Sequence, residues 1–244
     1  MTPTATSPDG RIRFWNCDCM DYLKSLSEKA HDLCWCDSPY GIGEDGSKNG
    51  SRGNLAISKD YKPYNSGDNN CPKKEYWDEI FRVSKNQIIW GANHFISKIP
   101  LDSSAWIVWD KDNGDNDFAD CELAWTSFDC AVRKFKYTWN GMLQQNMKNK
   151  QQRIHPNEKP INLIRWALNK YAQKGQKILS PFGGGMGDAI GCDIEGFELD
   201  ICESDPFYFN LGYARFMDYY TKKTEIAELG YARTALNKIQ PTLF

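Results

Sequence analysis

"KILSPFGGGMGDAIGCDIEGFELDICES" spans residues 177 to 204, and its reading decides the fold. A short apolar run ends at Ser180. Gly183, Gly184, Gly185 and Gly187 then form a turn, a helix follows, and a second apolar run ends at Glu203. A glycine-rich turn after a strand lets backbone approach a ligand closely. An acid 20 residues further on (203 − 183) is placed to hold ribose hydroxyls, so the unit points to a nucleoside-containing cofactor. No Lys-Ser/Thr follows the glycines, so the turn is not a phosphate-binding P-loop. On either side the chain punctuates helices. Asp205 and Pro206 suit an N-cap and first helical position, while Pro160 and Gly175 bracket a helix with Ile161, Ile164, Leu168 and Tyr171 on one face.

The N-terminal region repeats the alternation. Residues 11–18 alternate as a strand with Ile12 and Phe14 on one face. Met20, Leu23 and Leu26 have helical spacing within 19–30, and "DLCWCD" (32–37) is a short apolar strand. Strand, helix, strand within 37 residues signals a parallel α/β sheet. Residues 41–72 are rich in Gly, Ser, Asn, Lys and Asp, which predicts a long functional or flexible loop. A helix over 75–84 and buried strands in "NQIIWGANHF" and "SAWIVWDK" follow, with "CELAWTSF" as another apolar segment. The pentapeptide "LGYAR" occurs at 211–215 and 229–233, a chance echo between helices and not a repeat architecture.

A chain of 244 residues, 41% hydrophobic and 25% charged, can build one large domain over 1–244, with 221–244 as a C-terminal extension. No apolar run reaches the ~18 residues of a membrane span, and the N-terminus lacks the regions of a signal peptide. A cytoplasmic chain is expected, in a bacterial cell or a phage-infected host. The nine cysteines include no CxxC pair; Cys17/Cys19 and Cys34/Cys36 are C-x-C pairs that would share a strand face. Reduced thiols and no metal site are expected, since His31, His94 and His155 are also far apart in sequence.

Net charge is −2, so a nucleic-acid partner would need a local basic patch. Between Asp102 and Glu122 stand seven acids and one lysine, whereas Cys130–Asn157 holds no acid but Arg133, Lys134, Lys136, Lys148, Lys150 and Arg153. With Phe135, Tyr137 and Trp139 interleaved, this is a candidate phosphate-tracking face; a solvated loop is the plainer alternative.

Five segments together resemble a known family. Asp37-Ser38-Pro39-Tyr40 resembles the [D/N/S]-P-P-[Y/F/W] motif of the amino-methyltransferases that act on DNA bases. "FGGGMG" (182–187) resembles their F-x-G-x-G cofactor motif, and "HPNEKP" (155–160) the segment upstream of it. "WDKDNGDNDFADCELAWTSF" and "NGMLQQNMKNKQQRIHP" resemble phage-type adenine-N6 DNA methyltransferases. The tetrapeptide precedes the cofactor glycines by 146 residues (183 − 37), the permuted order of the beta class.

The resemblance implies a Rossmann-like, doubly wound, mostly parallel α/β sheet of the S-adenosylmethionine-dependent methyltransferases with circularly permuted motifs. It implies S-adenosyl-L-methionine as cofactor and methylation of the adenine N6 amine of flipped-out DNA bases. Asp37 would accept one amine N–H and the Ser38 carbonyl the other, with Pro39 shaping the turn and Tyr40 stacking on the base. Asp18, Cys19, Lys159, Pro181, Phe182, Gly183, Gly185 and Glu203 would line the cofactor site, Glu203 at the ribose and Lys159 near the methionine end. A helix N-cap is the plainer alternative for Asp18. Target recognition would fall to about 130–153. Where the family usually has an acid before Pro-Phe, this chain has Ser180. Methylation of RNA or of a protein amide, or a catalytically impaired DNA-binding module, are the competing functions. Beta-class relatives are often dimers, so a homodimer is an expectation, and a restriction-modification context is implied. Finally, "QPTLF" (240–244) resembles the Q-x-x-L-F peptide that docks bacterial replication proteins on the sliding clamp, through Gln240, Leu243 and Phe244.

Overall fold

In the computed structural model, residues 1–43, 61–62, 68–114, 119–140 and 143–239 are described. The chain runs β1 (Ala5–Thr6), β2 (Ile12–Trp15), α1 (Cys19–Lys24), β3 (His31–Cys36), α2 (Lys74–Val83), β4 (Ser84–Trp90), β5 (Trp106–Asp110), β6 (Cys121–Thr126) and β7 (Arg133–Lys136). It continues through β8 (Trp139–Asn140), β9 (Leu143–Gln144), α3 (Ile161–Tyr171), β10 (Lys177–Ser180), α4 (Gly187–Glu195), β11 (Glu198–Cys202) and α5 (Pro206–Ile239). Most of the 41–72 segment and the 240–244 peptide lie outside the described residues.

Nine strands form one sheet in the order β1-β2-β11-β10-β3-β4-β6-β5-β7. The five from β2 to β4 are parallel, β6 runs antiparallel to both β4 and β5, and β7 pairs in parallel with β5 at the edge. β10 and β3 are neighbours from which the chain winds in opposite directions, to β11 on one side and β4 on the other. Open α/β sheets bind ligands outside the carboxyl ends of the strands at such a switch point.

Strand alternation divides the core. Leu33, Trp35, Ile88, Trp90, Ile178 and Ile201 face α3, α4 and α5, while Cys34, Cys36, Ile89 and Leu179 face α1 and α2. Both faces of the central strands are thus covered, which is why these strands read as continuous apolar runs. One carboxylate interrupts that core. Asp200, fully buried in β11, binds Arg13 Nε at 2.5 Å, His31 Nε2 at 2.7 Å and Lys177 Nζ at 2.9 Å. Burial alone would raise its pKa, but these partners hold it far below the usual carboxylate range.

Helix ends differ from the sequence expectation. α1 stops at Lys24 because Ser25 turns its hydroxyl back onto the Tyr22 carbonyl at 2.7 Å. α3 stops at Tyr171, where Ala172 becomes extended, and Gly175 serves a later turn at φ +86°. Cys17 and Cys19 do not share a strand face: Cys17 follows β2 in a loop and Cys19 opens α1. At the start of α5, Asp205 caps the helix by accepting from Phe207 N at 2.8 Å. The "LGYAR" echo divides by role. In its first copy an added Cβ at Gly212 would lie 2.3 Å from Met186 Cγ, whereas a Cβ added at Gly230 meets nothing within 4 Å outside its own helix.

Candidate functional site

Asp37 follows the last residue of β3, and the glycine turn follows the last residue of β10, so the two motifs meet at the switch point. Asp37 Oδ1 lies 2.6 Å from Lys159 Nζ and accepts the Tyr40 hydroxyl at 3.0 Å. Lys159, 7% exposed, also donates to the Tyr40 oxygen at 2.9 Å and lies 3.2 Å from Glu122 Oε2. Lys111 closes the chain of charges at 2.6 Å from Glu122 Oε1. The site is therefore a neutral set of two carboxylates and two ammonium groups, walled by Trp90, whose ring centroid is 5.4 Å from Lys159 Nζ.

The environment separates the two acids. Burial raises the Asp37 pKa, and Lys159 counters without cancelling it. Burial also acts on Glu122, but Lys159 and Lys111 outweigh it and bring the pKa down to about 2. Lys159 is disfavoured by burial, yet Asp37 and Glu122 hold its pKa above the usual lysine range. Buried titratable groups pushed apart in this way at a sheet switch point are candidates for a functional site.

Tyr40 is turned inward onto Asp37. His94, which is exposed, lies parallel to its ring with centroids 5.4 Å apart and planes 18° apart. The ring also approaches the backbone of Gly91, which sits at φ +67°; a Cβ there would lie 2.2 Å from Tyr40 Cε1. Gly91 N is fixed to the Leu123 carbonyl at 2.9 Å, so the end of β4 and the neighbouring β6 jointly set the place of Tyr40. Ser38 is buried and its hydroxyl has no partner among the described residues.

The glycine turn is held from three sides. Gly183 N donates to the Cys202 carbonyl at 2.6 Å, and Glu203 accepts from Gly184 N at 2.7 Å and Asp205 N at 2.8 Å. Burial pushes the Glu203 pKa up to about 7 against those two bonds. His155 lies under Gly184, with burial driving its pKa down to about 4. Glu158 joins three segments: it accepts from Arg215 at 2.7 Å, Gln151 Nε2 at 2.6 Å and Ile154 N at 3.0 Å, and Arg215 also donates to the Gly185 carbonyl at 2.9 Å. Met186 takes φ +55° to start α4 and is fully buried. Ser180 donates to Asp188 Oδ2 at 2.5 Å, and burial brings the Asp188 pKa to about 7.

The other sequence-derived residues fall as follows. Asp18 is the N-cap of α1 and accepts from Met20 N at 2.8 Å. Cys19 and Pro181 are buried, and Phe182 packs 5.5 Å from Tyr76. Lys159 sits on Asp37 and so belongs with the tetrapeptide. Of the basic residues, Arg133, Lys134 and Lys136 lie on the edge strand β7, where Lys134 pairs with Asp110 at 3.3 Å and Lys136 with Asp112 at 2.8 Å. The acid-rich and acid-free segments are thus adjacent and partly neutralise each other. Phe135 packs on Trp166 of α3 at 5.2 Å and on Tyr137 at 5.6 Å, so these rings serve the core. Lys148 and Lys150 are exposed, and Arg153 lies over the Trp139 ring at 5.6 Å. Glu122, Lys111, Gly91, His94 and Glu158 were not singled out by sequence reasoning. A charged residue between apolar positions on a strand was the one available signal, at Glu122.

This strand order, with one antiparallel strand inserted beside the last parallel one and a glycine turn at the switch point, is the fold of the S-adenosylmethionine-dependent methyltransferases. No protein-family model matches the sequence, and no curated protein matches it. Among solved structures the chain is similar to M1.HpyAVI, with TM-score 0.50 and 16% identity over 84% of this chain and 98% of that one. It is similar to TTHA0409 from Thermus thermophilus complexed with S-adenosyl-L-methionine, with TM-score 0.51 and 16% identity over 83% and 93%. It is also similar to the cytosine-N4-specific PvuII DNA methyltransferase, with TM-score 0.52 and 11% identity over 89% and 93%. At these identities the likeness establishes the fold.

Proposed function

We propose that this chain methylates the exocyclic N6 amine of adenine in DNA, with S-adenosyl-L-methionine as cofactor. The observation that carries this is the meeting of Asp37 and the glycine turn at the adjacent carboxyl ends of β3 and β10. The residues fit the cofactor: the turn offers close backbone approach, and Glu203, oriented by two backbone N–H groups, keeps lone pairs for ribose hydroxyls. When bound, the cofactor supplies an electrophilic methyl group.

The chain's own groups prepare the amine. An exocyclic amine is a weak nucleophile because its lone pair delocalises into the ring. Asp37 Oδ2 and the Ser38 carbonyl would each accept one N–H and localise that lone pair on nitrogen. Lys159 and Tyr40 occupy Oδ1, which fixes the carboxylate plane and favours its ionised form. A base stacking on Tyr40 would take the place of His94, the ring that now covers it. Asp at position 37 is what favours adenine, since by resemblance the cytosine-N4 enzymes usually carry Ser there.

A methylome of cells expressing the chain tests the proposal: N6-methyladenine should appear with wild type and vanish with Asp37→Ala, while N4-methylcytosine would overturn the base assignment. Two partners are proposed with it. Sedimentation should find a homodimer, and deleting 240–244 should abolish pull-down by the sliding clamp; a monomer, or unchanged pull-down, would refute the respective partner.

A further inference from the structure

Asp188 is nine-tenths buried in the first turn of α4, immediately after the glycine turn. Its Oδ2 accepts from the Ser180 hydroxyl at 2.5 Å. The nearby charges do not balance. The carboxylates Asp37, Glu122, Glu158 and Asp188 face the cations Lys159, Lys111 and Arg215. Lys159 and Lys111 are committed to Asp37 and Glu122, and Arg215 to Glu158. Ionised Asp188 is therefore left without a cation, and a buried carboxylate in that position either binds a proton or takes a cation from outside.

We infer that Asp188, positioned by Ser180, is the anionic partner of the α-ammonium group of the cofactor's amino-acid end. This rests on the cofactor reading above. It also accounts for Ser180: an acid absent from the end of β10 is replaced by one eight residues later (188 − 180), tied to the serine hydroxyl at 2.5 Å. The burial that brings the Asp188 pKa to about 7 in the free protein gives the contact a signature, because a bound ammonium favours the ionised form. Binding near pH 6.5 should release protons, and affinity should rise with pH until Asp188 is ionised in the free protein.

The test is isothermal titration of the full chain with S-adenosylhomocysteine and with 5′-methylthioadenosine, which lacks the amino-acid end, in two buffers of different ionisation enthalpy. Asp188→Asn should weaken S-adenosylhomocysteine about 10- to 100-fold. It should also abolish the proton release and leave 5′-methylthioadenosine within about twofold of wild type, given that no contact to it is removed. The exchange variant Ser180→Asp with Asp188→Ser should restore both affinity and proton release, and it keeps the test decisive if Asp188→Asn fails to fold. Equal weakening of both ligands, unchanged S-adenosylhomocysteine binding, or no recovery in a folded exchange variant would overturn the assignment. A wild-type chain that binds neither ligand would overturn the cofactor reading along with it.

Discussion

Replacing Gly91 by alanine perturbs the site through a single methyl group. The added Cβ would start 2.2 Å from Tyr40 Cε1 and 2.5 Å from its Cζ. Ordinary carbon contact begins near ~3.5 Å, so the Tyr40 ring must retreat by about 1.3 Å or the end of β4 must shift. The backbone resists, because Gly91 N is bonded to Leu123 in the neighbouring strand. A left-handed φ on a residue with a Cβ adds about 1–2 kcal/mol, and overpacking typically about 1–3 kcal/mol. The expected loss of stability is therefore about 2–5 kcal/mol. The functional loss is separate. Tyr40 would leave its 3.0 Å contact with Asp37, and a displacement of that size costs turnover on the order of 100-fold. Urea unfolding measures the first, and labelled methyl transfer at saturating cofactor, with folded protein verified by circular dichroism, measures the second. Gly10→Ala is the control: it carries φ +77° with nothing within 4 Å, so it should cost about 1 kcal/mol and leave turnover intact. Gly91→Ala with near-wild-type turnover would refute the coupling of Gly91 to Tyr40 and Asp37.

Other perturbations separate the parts of the account. Lys159→Met removes the ammonium that counters burial at Asp37, so the acid limb of the pH–rate profile should move upward by about 1–3 pH units; an unmoved limb would show that Lys159 does not tune Asp37. Asp200→Asn leaves Arg13, His31 and Lys177 without their shared anion and should cost about 3–5 kcal/mol near neutral pH. Because the folded pKa of Asp200 is depressed, that gap should be present above the unfolded carboxyl value and narrow below about pH 4, as read by thermal melts across pH. Glu203→Gln runs the other way. Burial raises Glu203 to about 7, so its ionisation works against folding as pH rises from the unfolded value; the variant should gain stability of order 1 kcal/mol at pH 8 and none at pH 4, while losing affinity for the cofactor's ribose.

The sequence revealed those parts of the fold whose cause is local. The glycine turn, the Asp205 cap and the apolar runs of β3 and β10 each depend on residues adjacent in the chain, and their placement at a switch point follows from strand-helix alternation. Glu122 was not legible because it meets Lys159 only after β6 inserts antiparallel beside β4, bringing residues 85 positions apart (122 − 37) around one ammonium. Gly91 reads as part of a buried strand over "NQIIWGANHF", but the strand ends at Trp90, and nothing local marks Gly91 as the floor under a ring fifty-one residues upstream (91 − 40). The basic segment shows the opposite error. Its lack of acids in sequence is offset in space by Asp110 at the end of the neighbouring strand and Asp112 just beyond it, and the interleaved Phe135 points to α3 because residues of a strand alternate in direction. Ser180 looked like a missing carboxylate, and the structure shows a carboxylate delivered to it from the first turn of the next helix.

The central claim is that Asp37 holds a base amine for methyl transfer beside the glycine turn. Incubating the full chain with methyl-labelled S-adenosyl-L-methionine and, in parallel, DNA, RNA or protein, then digesting the nucleic acids to nucleosides, tests it most directly. The account predicts label in N6-methyl-2′-deoxyadenosine with wild type and none with a folded Asp37→Ala variant. Label in RNA or protein but not DNA, undiminished transfer by the variant, or no transfer by a wild type that binds both cofactor and DNA would contradict it.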